Sequence, residues 1–305
     1  MNAHHSRLAH PSGPVAKAPA EDYIRRPGKI RLLHTLGRLI PGDYLKTAFY
    51  LNCIDAPRRF LRDALFAFYR YDHVYAVLRE FAQRTSGRFS LLEFGTSDGY
   101  SFIKLLYATR YLRLENRTVV HTFDSFEGMP ASADVRDKDW SGDDSWVEGQ
   151  FRGNYEALND YCSRHYSNYA IHRGYFEKSV DEAFLQSLDS YPPALIWIDC
   201  DYYSSARTIL TRLIDRIPNG AVIYFDEFDN MNYGSRLTGE ARLVHEINTG
   251  QYGEDIELVP DLRLSLYSRR IYRFMRIPPN RVLANPEDVS APEQVRHWSN
   301  GSPLP

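Results

Sequence analysis

With 305 residues, 43 % of them hydrophobic, and a formal net charge of -2, the chain can bury a full core but creates no global field to recruit nucleic acid or an anionic membrane. Its three cysteines, Cys53, Cys162 and Cys200, have neither paired nor metal-ligand spacing, which argues against a disulfide framework and fits a reducing compartment. No run approaches the ~18 apolar residues of a membrane span, and the first residues lack the apolar core of a cleavable signal, so a cytoplasmic location is expected.

Residues 1–22 are rich in Ala, Pro, Ser and His without periodicity and read as a disordered tail. From 23 to 40 the chain is basic and amphipathic: Leu32, Leu33, Leu36, Leu39 and Ile40 share a helical face, with Arg25, Arg26, Lys29, Arg31 and Arg38 around it. A second helical region is predicted over 58–84, closed by Ser86 and Gly87. Segment 23–87 is therefore expected to form a helical lid or homo-oligomer contact on the main domain.

That domain, 88–277, alternates strand and helix. Strands are predicted at 90–94, 118–123, 169–172, 194–198 and 221–225, and helical crossovers between them imply a mostly parallel α/β sheet covered on both faces, a doubly wound Rossmann-like fold. A helix over 239–248 precedes three closely spaced strands at 256–259, 263–267 and 271–274, which predict antiparallel pairing at a sheet edge. Proline-rich 278–305 reads as an extended tail.

The segment between Phe126 and Asn154 breaks this rhythm. It is long, acidic and rich in small residues, yet it carries Trp140, Trp146 and Phe151, which predicts a lid or substrate loop rather than a disordered insertion.

Open α/β sheets bind ligands beyond the carboxyl ends of their strands, so those ends carry the functional reading. The first strand runs into EFGTSDGYS, a strand, tight turn and helix start that offers backbone N–H groups and a helix dipole to a small polar ligand. Gly95 and Gly99 fall short of a dinucleotide GxGxxG pattern, which weakens the case for NAD. Asp124 ends the second strand, where a carboxylate can accept two ribose hydroxyls, although a turn or cap role is equally natural for an Asp. Asp199 and Asp201 end the fourth strand, and Asp226 and Glu227 end the fifth. Four carboxylates at one edge repel unless a proton or a hard cation such as Mg²⁺ lies between them; the plainer alternative is that Asp201 caps the next helix and Glu227 faces solvent.

These residues resemble a family. EFGTSDGYS looks like motif I of class I S-adenosylmethionine-dependent methyltransferases, and FDSFEGMP at 123–130 is similar to the segment marking the macrocin and mycinamicin (TylF-type) sugar O-methyltransferases. RGYFEKSV at 173–180 resembles that family's G-x-F segment, and the stretch from WIDCDYYSSA to YFDEF, within 197–228, resembles its D-x-D-x-Y-x-S segment and acidic pair. The resemblance covers roughly 90–250. It implies that Glu93, Gly95, Thr96, Ser97, Tyr100 and Ser101 surround the methionine part of S-adenosylmethionine, with Asp124 on the ribose, Ser125 and Phe126 beside the adenosine, and Gly174, Phe176 and Asp199 completing the site. It also implies Mg²⁺ on Asp199, Asp226 and Glu227, where the family usually has two aspartates in the last two places.

The family's substrate loop carries a histidine that can take the acceptor proton, and this chain has none between Phe123 and Arg164. Asp139, Asp143, Asp144 or Asp199 is left to serve, provided burial raises its basicity. Trp140, Trp146, Tyr202 and Tyr203 are the right types to stack on sugar faces and equally suited to core packing. The expected activity is O-methyl transfer to a hydroxyl of a sugar or glycosylated small molecule, with no nucleic-acid substrate because there is no basic stripe. The competing readings are a nicotinamide-dependent sugar oxidoreductase and a non-catalytic cofactor-binding fold.

Overall fold

The computed structural model describes residues 35–61, 72–144, 146–229, 233–264 and 270–277. The predicted tails at 1–22 and 278–305, and most of the basic helix at 23–40, lie outside them. After a helical turn at 35–38 come two helices, α1 (Asp43–Leu61) and α2 (Asp72–Arg84), where a single helical region over 58–84 was expected; residues 62–71 lie outside the described residues.

An alternating series follows: β1 (Phe89–Phe94), α3 (Tyr100–Tyr111), β2 (Thr118–Asp124), α4 (Tyr155–His165), β3 (Tyr169–Arg173), short α5 (Phe176–Ser179) and α6 (Glu182–Ser187), then β4 (Pro193–Ile198), α7 (Tyr203–Leu213) and β5 (Val222–Phe225). The chain then adds α8 (Gly239–Asn248), β6 (Ile256–Pro260) and β7 (Arg270–Arg276). The seven strands form one sheet in the order β3-β2-β1-β4-β5-β7-β6. β1 to β5 pair in parallel, and β7 runs antiparallel between β5 and β6. The predicted edge is therefore antiparallel but built from two strands: 262–264 is a turn, and 265–269 lies outside the described residues.

Central strands read as continuous apolar runs because both faces are covered. Leu91, Leu195, Trp197, Val222 and Tyr224 enter a cluster with Phe102 and Leu106 of α3, Tyr161 of α4, Leu51 of α1 and Val77 and Leu78 of α2. Their neighbours Leu92, Ile196, Ile198, Ile223 and Phe225 enter a second cluster with Ile209 and Leu213 of α7 and Leu243 and Ile247 of α8. The period-2 alternation of a strand thus splits each pair of adjacent apolar residues between two layers.

Candidate active site

The strand order reverses direction between β1 and β4, which opens a crevice at their carboxyl ends. The two strands are locked together there. The Asp199 backbone N–H donates to the Phe94 carbonyl at 2.8 Å. A Cβ on Gly95 would lie 1.8 Å from the Asp199 carbonyl oxygen, so this contact demands a glycine, and its φ of +97° demands one too. Three neighbouring ends carry non-glycine residues in the left-handed region, Ser97 after β1, Phe126 after β2 and Asp201 after β4. Such conformations cost free energy and cluster where loops are shaped for a ligand.

Asp124 organises the first of these loops. One of its oxygens accepts from the N–H groups of Thr96 at 2.7 Å and Ser97 at 2.8 Å, and the other from Phe126 N–H at 2.6 Å. Burial raises its carboxyl pKa, opposed by the three backbone donors. With about four acceptor directions on a carboxylate, three are engaged within the chain. Beneath it, Glu93 is fully buried and accepts from the Thr122 hydroxyl at 2.5 Å, and Thr122 in turn contacts the Thr96 hydroxyl. Gly99 is left-handed and gives α3 no side-chain cap, so the first N–H groups of that helix have no capping side chain. Tyr100 opens α3, and Ser101 is buried behind it.

The loop is clamped from outside as well. Thr47 of α1 donates to Asp98 at 2.6 Å, and a Cβ on Gly153 would lie 2.0 Å from the Ser97 carbonyl oxygen. Phe126 is buried edge-on against Tyr155, and Phe176 packs edge-on against Phe94. Gly174 N–H donates to the Asp124 carbonyl at 2.8 Å, which ties the end of β3 to the same crevice. Ser125 folds back on its own loop, accepting from Glu127 N–H at 3.1 Å.

Segment 127–153 is a closed loop rather than a free flap. Met129 N–H donates to the Gln150 carbonyl at 2.8 Å and Gly149 N–H to the Met129 carbonyl at 2.9 Å, forming a neck. Beyond the neck, a short 3₁₀ turn at Val135–Asp137 brings in Asp137, 6 % exposed. Its two oxygens accept from the Ser204 N–H at 2.8 Å and the Ser204 hydroxyl at 2.7 Å, with the Ser132 hydroxyl also on it. Asp137 therefore caps α7, a role considered for Asp201. Arg136 lies over the Tyr203 ring at 4.4 Å, and the Tyr203 hydroxyl donates to Glu246 of α8 at 2.6 Å. Tyr202 and Tyr203 are 3 % and 1 % exposed, which makes them packing residues rather than a sugar platform. Trp140 is 65 % exposed, and Trp146 packs edge-on against Phe151.

Asp139 and Asp144 differ from Asp199 in setting. Burial acts to raise the Asp139 carboxyl, but hydrogen bonds from Ser141, Asp143 and Gly142 outweigh it and leave the group below its ordinary range, a weaker base. Asp144 is exposed and paired with Lys138. Asp199 stands at the crevice, 3.4 Å from the Trp197 indole N–H.

The acidic cluster is larger than its sequence spacing implied. Asp201 is pushed well above the ordinary carboxylate range by burial and by the charges of Glu227 and Asp226. Asp226 is 4 % exposed and accepts from the Tyr224 hydroxyl. Glu240 of α8 joins them, 2 % exposed, and neither of its carboxylate oxygens has a hydrogen-bond partner among the described residues. Among the described residues, no three Asp, Glu, His or Cys side chains are gathered tightly enough to hold an ion as they stand. The donor set, all oxygen and with a buried carboxylate left unsatisfied, nevertheless has the chemistry of a hard divalent cation site.

Glu240 and Asp137 were not singled out in the sequence. A glutamate in a first helical turn is commonplace, and one aspartate among the five of 133–144 carries no mark of its own.

Residues 92–228 match the family described as a methyltransferase domain. No curated protein matches the sequence significantly. Among solved structures, the fold is similar to that of CalS11, a calicheamicin methyltransferase, with a TM-score of 0.57 and 18 % identity over 89 % of this chain and 99 % of that one. A second structure of CalS11, described as the apo form of a TDP-rhamnose 3′-O-methyltransferase, aligns with a TM-score of 0.50 and 15 % identity, covering 81 % of this chain and 93 % of the other. The O-methyltransferase NovP gives 0.49 and 15 % over 78 % of this chain and all of its own. Likeness at this identity bears on the fold.

Proposed function

We propose that this chain, a methyltransferase by the domain it carries at 92–228, moves a methyl group from S-adenosylmethionine to a hydroxyl of a sugar or glycosylated small molecule, assisted by Mg²⁺. The observation that carries the reading is that FDSFEGMP and DCDYYSSA, the segments resembling sugar O-methyltransferases, both lie at the β1/β4 crevice beside the cofactor-type loop. The TDP-rhamnose 3′-O-methyltransferase among the structural neighbours makes a nucleotide-linked deoxysugar a sensible first acceptor to test.

In this reading Glu93, Gly95, Thr96, Ser97, Tyr100 and Ser101 form the cradle for the methionine end, and the uncapped start of α3 faces its carboxylate. Asp124 takes one ribose hydroxyl with its remaining acceptor direction, rather than both, while Ser125, Phe126, Gly174 and Phe176 flank the adenosine. S-adenosylmethionine, when bound, supplies an electrophilic methyl group on a sulfonium. The chain's task is then alignment and exclusion of water. The docked loop 127–153 walls the crevice on the acceptor side. Asp199 is the favoured general base, accepting the hydroxyl proton as the new O–C bond forms and the S–C bond of the sulfonium breaks, because hydrogen bonds hold Asp139 below the ordinary carboxylate range and Asp144 is paired with Lys138 on the loop surface. Asp199, Asp226 and Glu227 would hold Mg²⁺, which would supply charge to orient vicinal hydroxyls and lower their pKa.

Calorimetric titration with S-adenosylhomocysteine is the direct test, with saturable one-to-one binding expected; no binding to folded protein defeats the reading. Mass spectrometry of TDP-sugars incubated with S-adenosylmethionine should show a gain of one methyl group that chelator suppresses.

A further inference from the structure

Two of the crevice acids stand on the same local pattern. β4 runs out through Trp197, Ile198 and Asp199, and β5 through Tyr224, Phe225 and Asp226, so the alternation of a strand puts each ring and the acid two places on to one face of the sheet. Trp197 and Tyr224 are register partners, with ring centroids 4.0 Å apart. Each ring donates to the acid beyond it, the Trp197 indole N–H to Asp199 at 3.4 Å and the Tyr224 hydroxyl to Asp226. The first of these bonds is long, so it does not hold the indole in place by itself. Packing has to do so, and one ring that supplies it comes from outside the sheet. His73, in the first turn of α2, lies parallel to Tyr224, with centroids 4.8 Å apart and planes 9° apart, and its centroid is 5.4 Å from that of Trp197. All three side chains are buried.

We infer that His73 is a positioning residue for methyl transfer: its ring braces the Trp197 and Tyr224 pair, and through their two donors it sets where Asp199 and Asp226 stand in the crevice. The inference rests on the reading above in which Asp199 takes the acceptor proton. His73 acts here through the flat face of the imidazole rather than through a ring nitrogen. Another aromatic ring of similar breadth can stack in the same way, whereas a small or rounded side chain leaves the pair free to tilt. In-line transfer tolerates little tilt, since a misplacement of about 1 Å at a reacting group costs up to about 100-fold in rate. Helix α2 thereby gains a task beyond filling the core: its first turn reaches the two rings that carry the donors.

The test uses the full chain with isotope-labelled tryptophan indoles, in which the Trp197 N–H resonance is identified by its loss in Trp197→Phe and its shift in Asp199→Asn. His73→Ala is expected to shift that resonance and to speed its exchange with solvent, while His73→Phe keeps the parental position. S-adenosylhomocysteine affinity, measured by calorimetry, is expected to match the parent in both variants. With a TDP-sugar that the parent methylates, His73→Ala should lower kcat by about 10–100-fold at an unchanged KM, and His73→Phe should return most of it. His73→Leu, which fills the space without a flat face, stands in for His73→Ala if that variant does not fold. A parental Trp197 resonance in the ringless variants overturns the inference, as does a His73→Phe variant that folds but behaves like His73→Ala. A parent that binds no S-adenosylhomocysteine defeats the reading above and the inference with it. The inference fails alone when the parent binds and methylates and the ringless variants match it.

Discussion

Asp124 holds three backbone N–H groups from two loops with one carboxylate. Asp124→Ala leaves those donors unsatisfied in a buried setting, which costs about 1–3 kcal/mol for each donor that water does not reach. We expect a lower urea midpoint and a loss of S-adenosylhomocysteine affinity together; an affinity loss with unchanged stability would make Asp124 a pure ligand. Gly95→Ala is expected to be worse for binding, because its Cβ collides with the Asp199 backbone and the residue is left-handed. Far from the crevice, His121 is packed against His172 at 3.0 Å between nitrogens, and burial, with His172 second, holds its pKa down to about 3. The unfolded chain takes up that proton near 6.5 while the folded chain stays neutral. Stability is thus present above pH 6.5 and falls by about 1.4 kcal/mol per unit as the pH drops below it. His121→Phe should remove about 2 kcal/mol of the stability lost between pH 7 and pH 5, and an unchanged loss in urea titrations at the two values would refute this assignment.

At the scale of elements, the 3₁₀ turn at Val135–Asp137 is a latch. It joins loop 127–153 to the start of α7 through Asp137 and to α8 through Arg136, Tyr203 and Glu246. Asp137→Ala should release it, raising the rate of limited proteolysis within 130–148 several-fold while leaving the core strands protected against hydrogen exchange. Equal cleavage rates would mean that the neck alone holds the loop. The latch shows where the reading of the sequence stopped. The parallel strands were legible because both-face burial writes them as apolar runs ending in polar residues, and EFGTSDGYS was legible because a strand, a turn and a helix start follow in order. Asp137 was not, since its partner Ser204 is 67 residues away and belongs to a different layer. The middle one of the three late strands differs for a related reason: the alternation in 263–267 has the right period, but Leu262 and Arg263 lie in a turn held by Asp261, and 265–267 lie outside the described residues.

Taken whole, the molecule is bound together at the side opposite its parallel edge by Arg273 of β7. This arginine, 13 % exposed, grips Glu80 of α2 with two bonds of 2.8 Å and reaches Asp261 at 3.0 Å. Helix α2, expected as part of a lid, thus contributes Val77 and Leu78 to the core and an ion pair to the sheet. Arg273→Leu removes a cation that pairs with the nearly buried Asp261 and with Glu80 and should lower stability by about 3 kcal/mol in urea unfolding; a change below ~1 kcal/mol would put the pair among ordinary surface bridges.

The neck between Met129 and Gln150 has an engineering consequence. Because the chain ends of the loop are already joined there, and the latch pins one limb at Asp137, the turn at Gly142, which has open space around it, hangs from two fixed points. Doubling the free length between them adds only ~0.6 kcal/mol of closure entropy. The outer limb is therefore a cassette: segments of different length or composition can be spliced in at Gly142, while the Gly95–Gly99 loop, anchored through Gly153 and Asp124, keeps its shape.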